Sequence, residues 1–182
     1  MFKKIKILMV VLFLVLACGC ENNLMNTPTK RVETLLNNYI TVNDDVLKDL
    51  DNIVNMETTM SDAQKESYKD IMKKLYQNLS YEIKDETIDG DVATVEVEIE
   101  VYNYQKGIDD ANEYYKNNQT EFLKEDNSID MLKFNDYKIG ILKNVNEKVK
   151  YTLDLTLSKI DNKWVLDDLT DTQISKIHGM YN

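Results

Sequence analysis

Reactive side chains are few in this 182-residue chain: one histidine, His178, two cysteines, Cys18 and Cys20, and the alternating glutamates Glu96, Glu98 and Glu100, beside eleven tyrosines. A single histidine leaves no second imidazole to activate a serine or cysteine, so a nucleophilic triad is not expected. Zinc ligation lacks both its histidines and its thiolates, and no glycine-rich phosphate loop is present. General acid–base chemistry near neutral pH would need a carboxyl raised, or a lysine or tyrosine lowered, by burial. Asp and Glu fall mainly on the polar registers, so the sequence predicts no catalytic residue, no metal site and no cofactor. His178 lies in the last turn of a predicted terminal helix, where a cation suits the helix dipole. Successive members of the glutamate stripe stand about 6.8 Å apart, twice the strand rise. That is too wide for one ion, since calcium needs six to eight oxygens at about 2.3–2.6 Å. The stripe reads as a solvent-facing sheet surface with Lys148 or Lys150 as neighbours.

Tyr39, Tyr68, Tyr76, Tyr81, Tyr115 and Tyr151 fall on apolar faces, where phenols pack with their hydroxyls at the rim. A sharper reading places Tyr81, Tyr151 and Trp164 around a ligand pocket.

The cysteines carry the most specific signal. Lys3, Lys4 and Lys6 precede ten unbroken apolar residues, Ile7 to Leu16. Ten is too few to span a bilayer, which takes about 20, but suits the apolar region of a secretion signal, about 7–15. Val15-Leu16-Ala17-Cys18 resembles the bacterial lipobox, which implies cleavage before a diacylated Cys18; Ala17-Cys18-Gly19-Cys20 offers Cys20 as an alternative register. The expected organisation is a lipoprotein signal peptide over residues 1–17, a lipidated polar tether over 18–26, and a single domain over 27–182. Two acyl chains satisfy the two-signal requirement for stable anchoring. The expected location is the extracytoplasmic face of the cell membrane, with the membrane a partner through the N-terminal diacylglycerol. With both cysteines in the leader region, no disulfide can staple the body.

Charge excludes nucleic acid as a partner. Cleavage removes three of the 22 basic groups and leaves 19 against 32 acidic ones, a net charge of −13. A phosphate-neutralising protein needs a basic face instead.

The elements follow from periodicity. Thr27-Pro28 is a hydroxyl N-cap followed by proline at the first helical position, and Val32, Leu35, Leu36, Tyr39 and Ile40 give one apolar face. A second helix is expected from Asp44 to about Met56, with Val46, Leu47, Leu50, Ile53 and Val54 inward. Ser61-Asp62-Ala63-Gln64 reads as a capping box opening a third. Val95, Val97, Ile99 and Val101 then alternate with glutamates as a strand. Its upstream partner carries Tyr81 and Ile83, and a three-residue loop Ile88-Asp89-Gly90 would set Ile83 opposite Val95. Residues 108–124 and a segment capped by Ser128 read as helices. A second hairpin turns at Asp161-Asn162, setting Leu157 opposite Leu166 and Lys159 opposite Trp164. Thr170-Asp171-Thr172-Gln173 caps a short last helix.

This order predicts an α+β fold: one antiparallel sheet of about four strands, formed by two hairpins and covered by helices. Thr27-Pro28 opening an amphipathic helix behind a lipobox, with the closing strand Asn162-Lys163-Trp164-Val165-Leu166-Asp167-Asp168-Leu169, resembles small lipoproteins of low-GC Gram-positive bacteria. Some of these resemble the nuclear transport factor 2-like, cystatin-like superfamily, whose curved sheet can enclose a pocket. The expected function is a membrane-tethered, non-catalytic domain binding an envelope protein or a small ligand. The alternative is a carrier or enzyme with a pocket between sheet and helices.

Overall fold

Thr27 starts the first helix by accepting the Lys30 N–H at 3.2 Å, and Pro28 stands where no amide is needed. The computed structural model describes residues 26–182; the signal segment, the tether through residue 25, Cys18 and Cys20 lie outside the described residues. Helix α1 (Pro28–Thr41) leads to α2 (Asp44–Met56) and α3 (Asp62–Gln77). The hairpin of β1 (Ser80–Asp89) and β2 (Val92–Tyr102) follows. Helix α4 (Tyr104–Asn117), a 3-10 turn at Gln119–Phe122 and α5 (Met131–Lys143) connect it to the second hairpin, β3 (Lys148–Ile160) and β4 (Lys163–Leu166), and α6 (Asp171–Ile177) closes the order. The fold is α+β, with one open antiparallel sheet in the order β1-β2-β3-β4.

Strand alternation decides which face is covered. Val95, Val97, Ile99 and Val101 on β2 and Leu153, Leu155 and Leu157 on β3 are buried under Val32 and Leu36 of α1, with Trp164 of β4 and Ile177 of α6 in the same core. Full burial of each such aliphatic side chain is worth roughly 1.5–3 kcal/mol. The opposite face carries the glutamates. A second core lies among the helices, where Leu50, Val54, Ile71, Met72, Leu75, Tyr104, Ile139 and Leu142 meet.

The Asp161-Asn162 turn is as expected: both residues have positive φ, at 49° and 60°, Leu157 faces Leu166 and Lys159 faces Trp164. The first hairpin differs. Its loop is Gly90-Asp91, Ile83 pairs with Val97 and Tyr81 with Ile99. A bulge between Ile83 and Asp85 restores the face parity that the longer loop was meant to supply. Gly90 does take the left-handed position, at φ 60°.

Helix α4 starts at Tyr104 because Asn103 accepts the Lys106 N–H, and it ends at Asn117 rather than running to residue 124. The cap of α5 is Asp130, whose carboxylate accepts the Lys133 N–H. Ser128 instead donates to Asp126 in a tight turn. Ile53, expected inward, is exposed.

Candidate functional site

The structure brings two of the three predicted pocket residues into one row. Tyr81 and Tyr151 pair with Ile99 from opposite sides, so they flank the same residue of β2. Each hydroxyl is engaged: Tyr81 donates to Asn37 at 3.4 Å, and Tyr151 donates to the Tyr181 carbonyl at 3.0 Å. Trp164 pairs with Lys159, eight residues further along β3 than Tyr151. It therefore stands roughly 26 Å from that row at the usual strand rise. Buried aliphatic side chains of β2, β3 and α1 pack between the sheet and the helix that covers it.

Two of the three glutamates in the stripe pair with lysines across strands. Glu98 receives Lys150 at 2.9 Å and faces Lys84 at 3.7 Å, while Lys148 meets Glu100 at 3.5 Å. The Lys150 hydrogen bond, with the charge behind it, holds the Glu98 carboxyl below the usual carboxylate range. Among the described residues, no group of three or more His, Cys, Asp or Glu side chains is arranged to hold a metal ion.

His178 departs from the cationic helix end that the sequence suggested. Its ring packs 5.7 Å from that of Tyr76, and burial pushes its pKa down to about 4. Desolvation outweighs the helix dipole here, so the imidazole is neutral. The tyrosines are likewise raised by burial: Tyr68 to about 12, with its hydroxyl 3.9 Å from the Met180 sulfur. Tyr76 and Tyr104 move in the same direction. Tyr104 was not marked by periodicity, being the first residue of its helix, yet it is fully buried and donates to the Ile71 carbonyl at 3.0 Å.

Of the concavities among the helices, two bear on binding. The smaller, about 180 Å³, has apolar walls from Ile53 and Val54 of α2, Ile108 of α4 and Leu142 of α5, with Glu57, Tyr68 and Lys138 supplying its polar groups. Glu57 is fixed by Thr59, whose N–H and hydroxyl donate to it at 3.0 and 2.8 Å, and these bonds hold its carboxyl below the usual range. Two buried amides fix the frame. Gln64 of α3 donates to the Leu132 carbonyl and to Asp136, both at 2.7 Å, while Asn135 of α5 donates to the Thr59 carbonyl at 2.7 Å. The larger concavity, about 580 Å³, is an open groove between α4 and α5 whose charged groups include Lys106, Asp110, Asp136 and Glu147.

Sequence spacing did not show the apolar pocket, because its walls come from three helices and its polar groups from a loop, α3 and α5. Ile53 falls within the apolar stripe of α2, so only the structure shows it exposed at the pocket.

No family model matches the chain, and no curated protein matches it in sequence. The ycdA protein of Bacillus subtilis, assigned as a lipoprotein, is similar at 19% identity and a TM-score of 0.40. The match covers 66% of this chain and 38% of that one, so the chain spans well under half of its length.

Proposed function

We propose that the chain is a lipoprotein anchored through Cys18, with Cys20 as the alternative, on the extracytoplasmic face of the cell membrane, and that its body is a non-catalytic binding domain. The anchor is supported by the lysines, apolar run and lipobox-like Val15-Leu16-Ala17-Cys18. Binding is supported by one observation above the others, the apolar pocket with Glu57, Tyr68 and Lys138 at its walls. Its 180 Å³ falls below the roughly 300–1,000 Å³ of small-molecule sites. It matches one apolar side chain of a protein partner better than a free ligand, with the unlike charges of Glu57 and Lys138 orienting the partner's backbone.

The volume of the open groove between α4 and α5, about 580 Å³, favours a second reading, in which a small polar ligand is carried there.

Anchoring is tested by metabolic labelling with an alkyne fatty acid. The wild type should be labelled and Cys18→Ala should not; label retained in that variant moves the anchor to Cys20. Binding is tested by isolating the protein natively from solubilised membranes. A partner recovered with the wild type and lost with Ile53→Glu supports the pocket, whereas unchanged recovery places the partner elsewhere.

A further inference from the structure

The described chain begins at a defined place on the sheet. The Asn26 side chain bonds both backbone groups of Trp164, accepting its N–H at 2.6 Å and donating to its carbonyl at 3.2 Å. It thus closes the outer edge of β4 two residues beyond the Asp161-Asn162 turn. The two hairpin turns lie side by side here, since the Lys159 N–H donates to the Asp91 carbonyl at 2.8 Å. Both turns and the start of the described chain therefore share one end of the sheet.

That end exposes apolar side chains. Ile88, Val92, Ile160 and Val165 are all large hydrophobics open to solvent. Val92 and Val165 both pair with Ser158, in one row of the outer face, and Ile160 lies next to it. Ile88 pairs with the buried Ala93 and so projects from the other face. The apolar side chains thus flank the turns on both sides. The apolar pocket is at the opposite end, because α2, α3, α4 and α5 gather where β1 and β3 start and β2 stops. The 13 residues of β3 separate the two ends by about 40 Å.

We propose that the hairpin end is a bilayer-facing surface on which Ile88, Val92, Ile160 and Val165 rest at the lipid interface, holding the helical pocket outward. The occupant follows from the length of chain outside the described residues and from where it ends. Asn26 comes eight residues after Cys18, and that stretch spans at most about 29 Å however it runs. An acyl anchor at Cys18 therefore keeps the hairpin end near the membrane, while the helical end lies a sheet length beyond. Contact is apolar rather than electrostatic. Asp89, Asp91 and Asp161 stand in the turns beside Lys159 and Lys163, so anionic headgroups gain nothing from this end, and insertion stays shallow.

The proposal rests on the anchor at Cys18, and the experiment separates the two. Full-length lipidated protein carrying Cys20→Ser, so that only an introduced thiol reacts, is reconstituted in phosphatidylcholine vesicles with and without phosphatidylglycerol. A polarity-sensitive fluorophore is attached at Ile160→Cys or, at the helical end, at Met131→Cys; Trp164 emission reports that each variant is folded. The expected result is a blue shift and quenching by headgroup-labelled lipid at position 160, none at 131, and no gain from phosphatidylglycerol. Protein that floats with the vesicles while position 160 stays as wet as 131, or while 131 enters lipid instead, overturns the proposal and leaves the anchor standing. Protein that fails to float removes the anchor at Cys18 and the proposal with it.

Discussion

Acid should weaken this fold before its carboxylates begin to titrate, because of His178. The ring packs against Tyr76, and burial alone lowers its pKa from an ordinary 6.5 to about 4. Between those values the unfolded chain binds a proton that the folded chain refuses, so stability falls as pH drops through this window. The contribution is complete above about pH 7, and little more is lost below about pH 4. The full gap corresponds to about 3 kcal/mol, and at pH 5 the linkage relation gives about 2 kcal/mol. Residual solvent contact of the ring reduces the expected loss to about 1–2 kcal/mol. The lowered carboxyls of Glu57 and Glu98 contribute stability that is lost only as pH falls below their ordinary value of 4.5, so they do not fill this window. Urea unfolding followed by Trp164 fluorescence at pH 7.5 and pH 5 measures the effect, with His178→Phe as the variant that keeps the ring and removes the proton. The wild type should lose about 1–2 kcal/mol and the variant less than half of that. Equal losses in both proteins would show that His178 is protonated in the folded state and that the burial argument is mistaken.

Trp164→Ala should cost about 3 kcal/mol, at the low end of the usual 3–5 for a buried tryptophan, because Trp164 lies on an edge strand under Lys159; circular dichroism during urea unfolding checks it, and a loss under about 1 kcal/mol would place the ring outside the core. Gly179→Ala should lower the melting temperature, since Gly179 has φ 64° and a Cβ there would run into the Tyr102 carbonyl oxygen. Gly140→Ala, inside a helix with open space around it, should raise stability by up to about 1 kcal/mol, within the reach of the same thermal scan. Gln64→Leu should cost about 1–3 kcal/mol in urea unfolding, because it leaves the Ser61 N–H without its acceptor and removes the donor shared by the Leu132 carbonyl and Asp136.

Local chemistry carried most of the fold. Both capping boxes, at Ser61 and Thr170, form with reciprocal bonds, and the Asp161-Asn162 turn sets the register of its hairpin because both residues tolerate positive φ. Where a second solution satisfied the same pattern, sequence was not enough. A bulge in β1 shifts face parity as well as an extra loop residue does, and alternation cannot tell the two apart. Ser128 and Asp130 are both good N-caps, and only the tight turn at Asp126 decides between them. His178 reads as an exposed helix end until α3 is seen to bring Tyr76 against it. The apolar pocket is a tertiary product, as no one segment carries its pattern.

Mass spectrometry of the N-terminal peptide from membrane-isolated protein tests the anchor at Cys18. The expected peptide begins at Cys18 and carries a diacylglycerol on its thiol. A peptide that begins elsewhere with an unmodified Cys18 and Cys20, or an intact segment of residues 1–17, would contradict it.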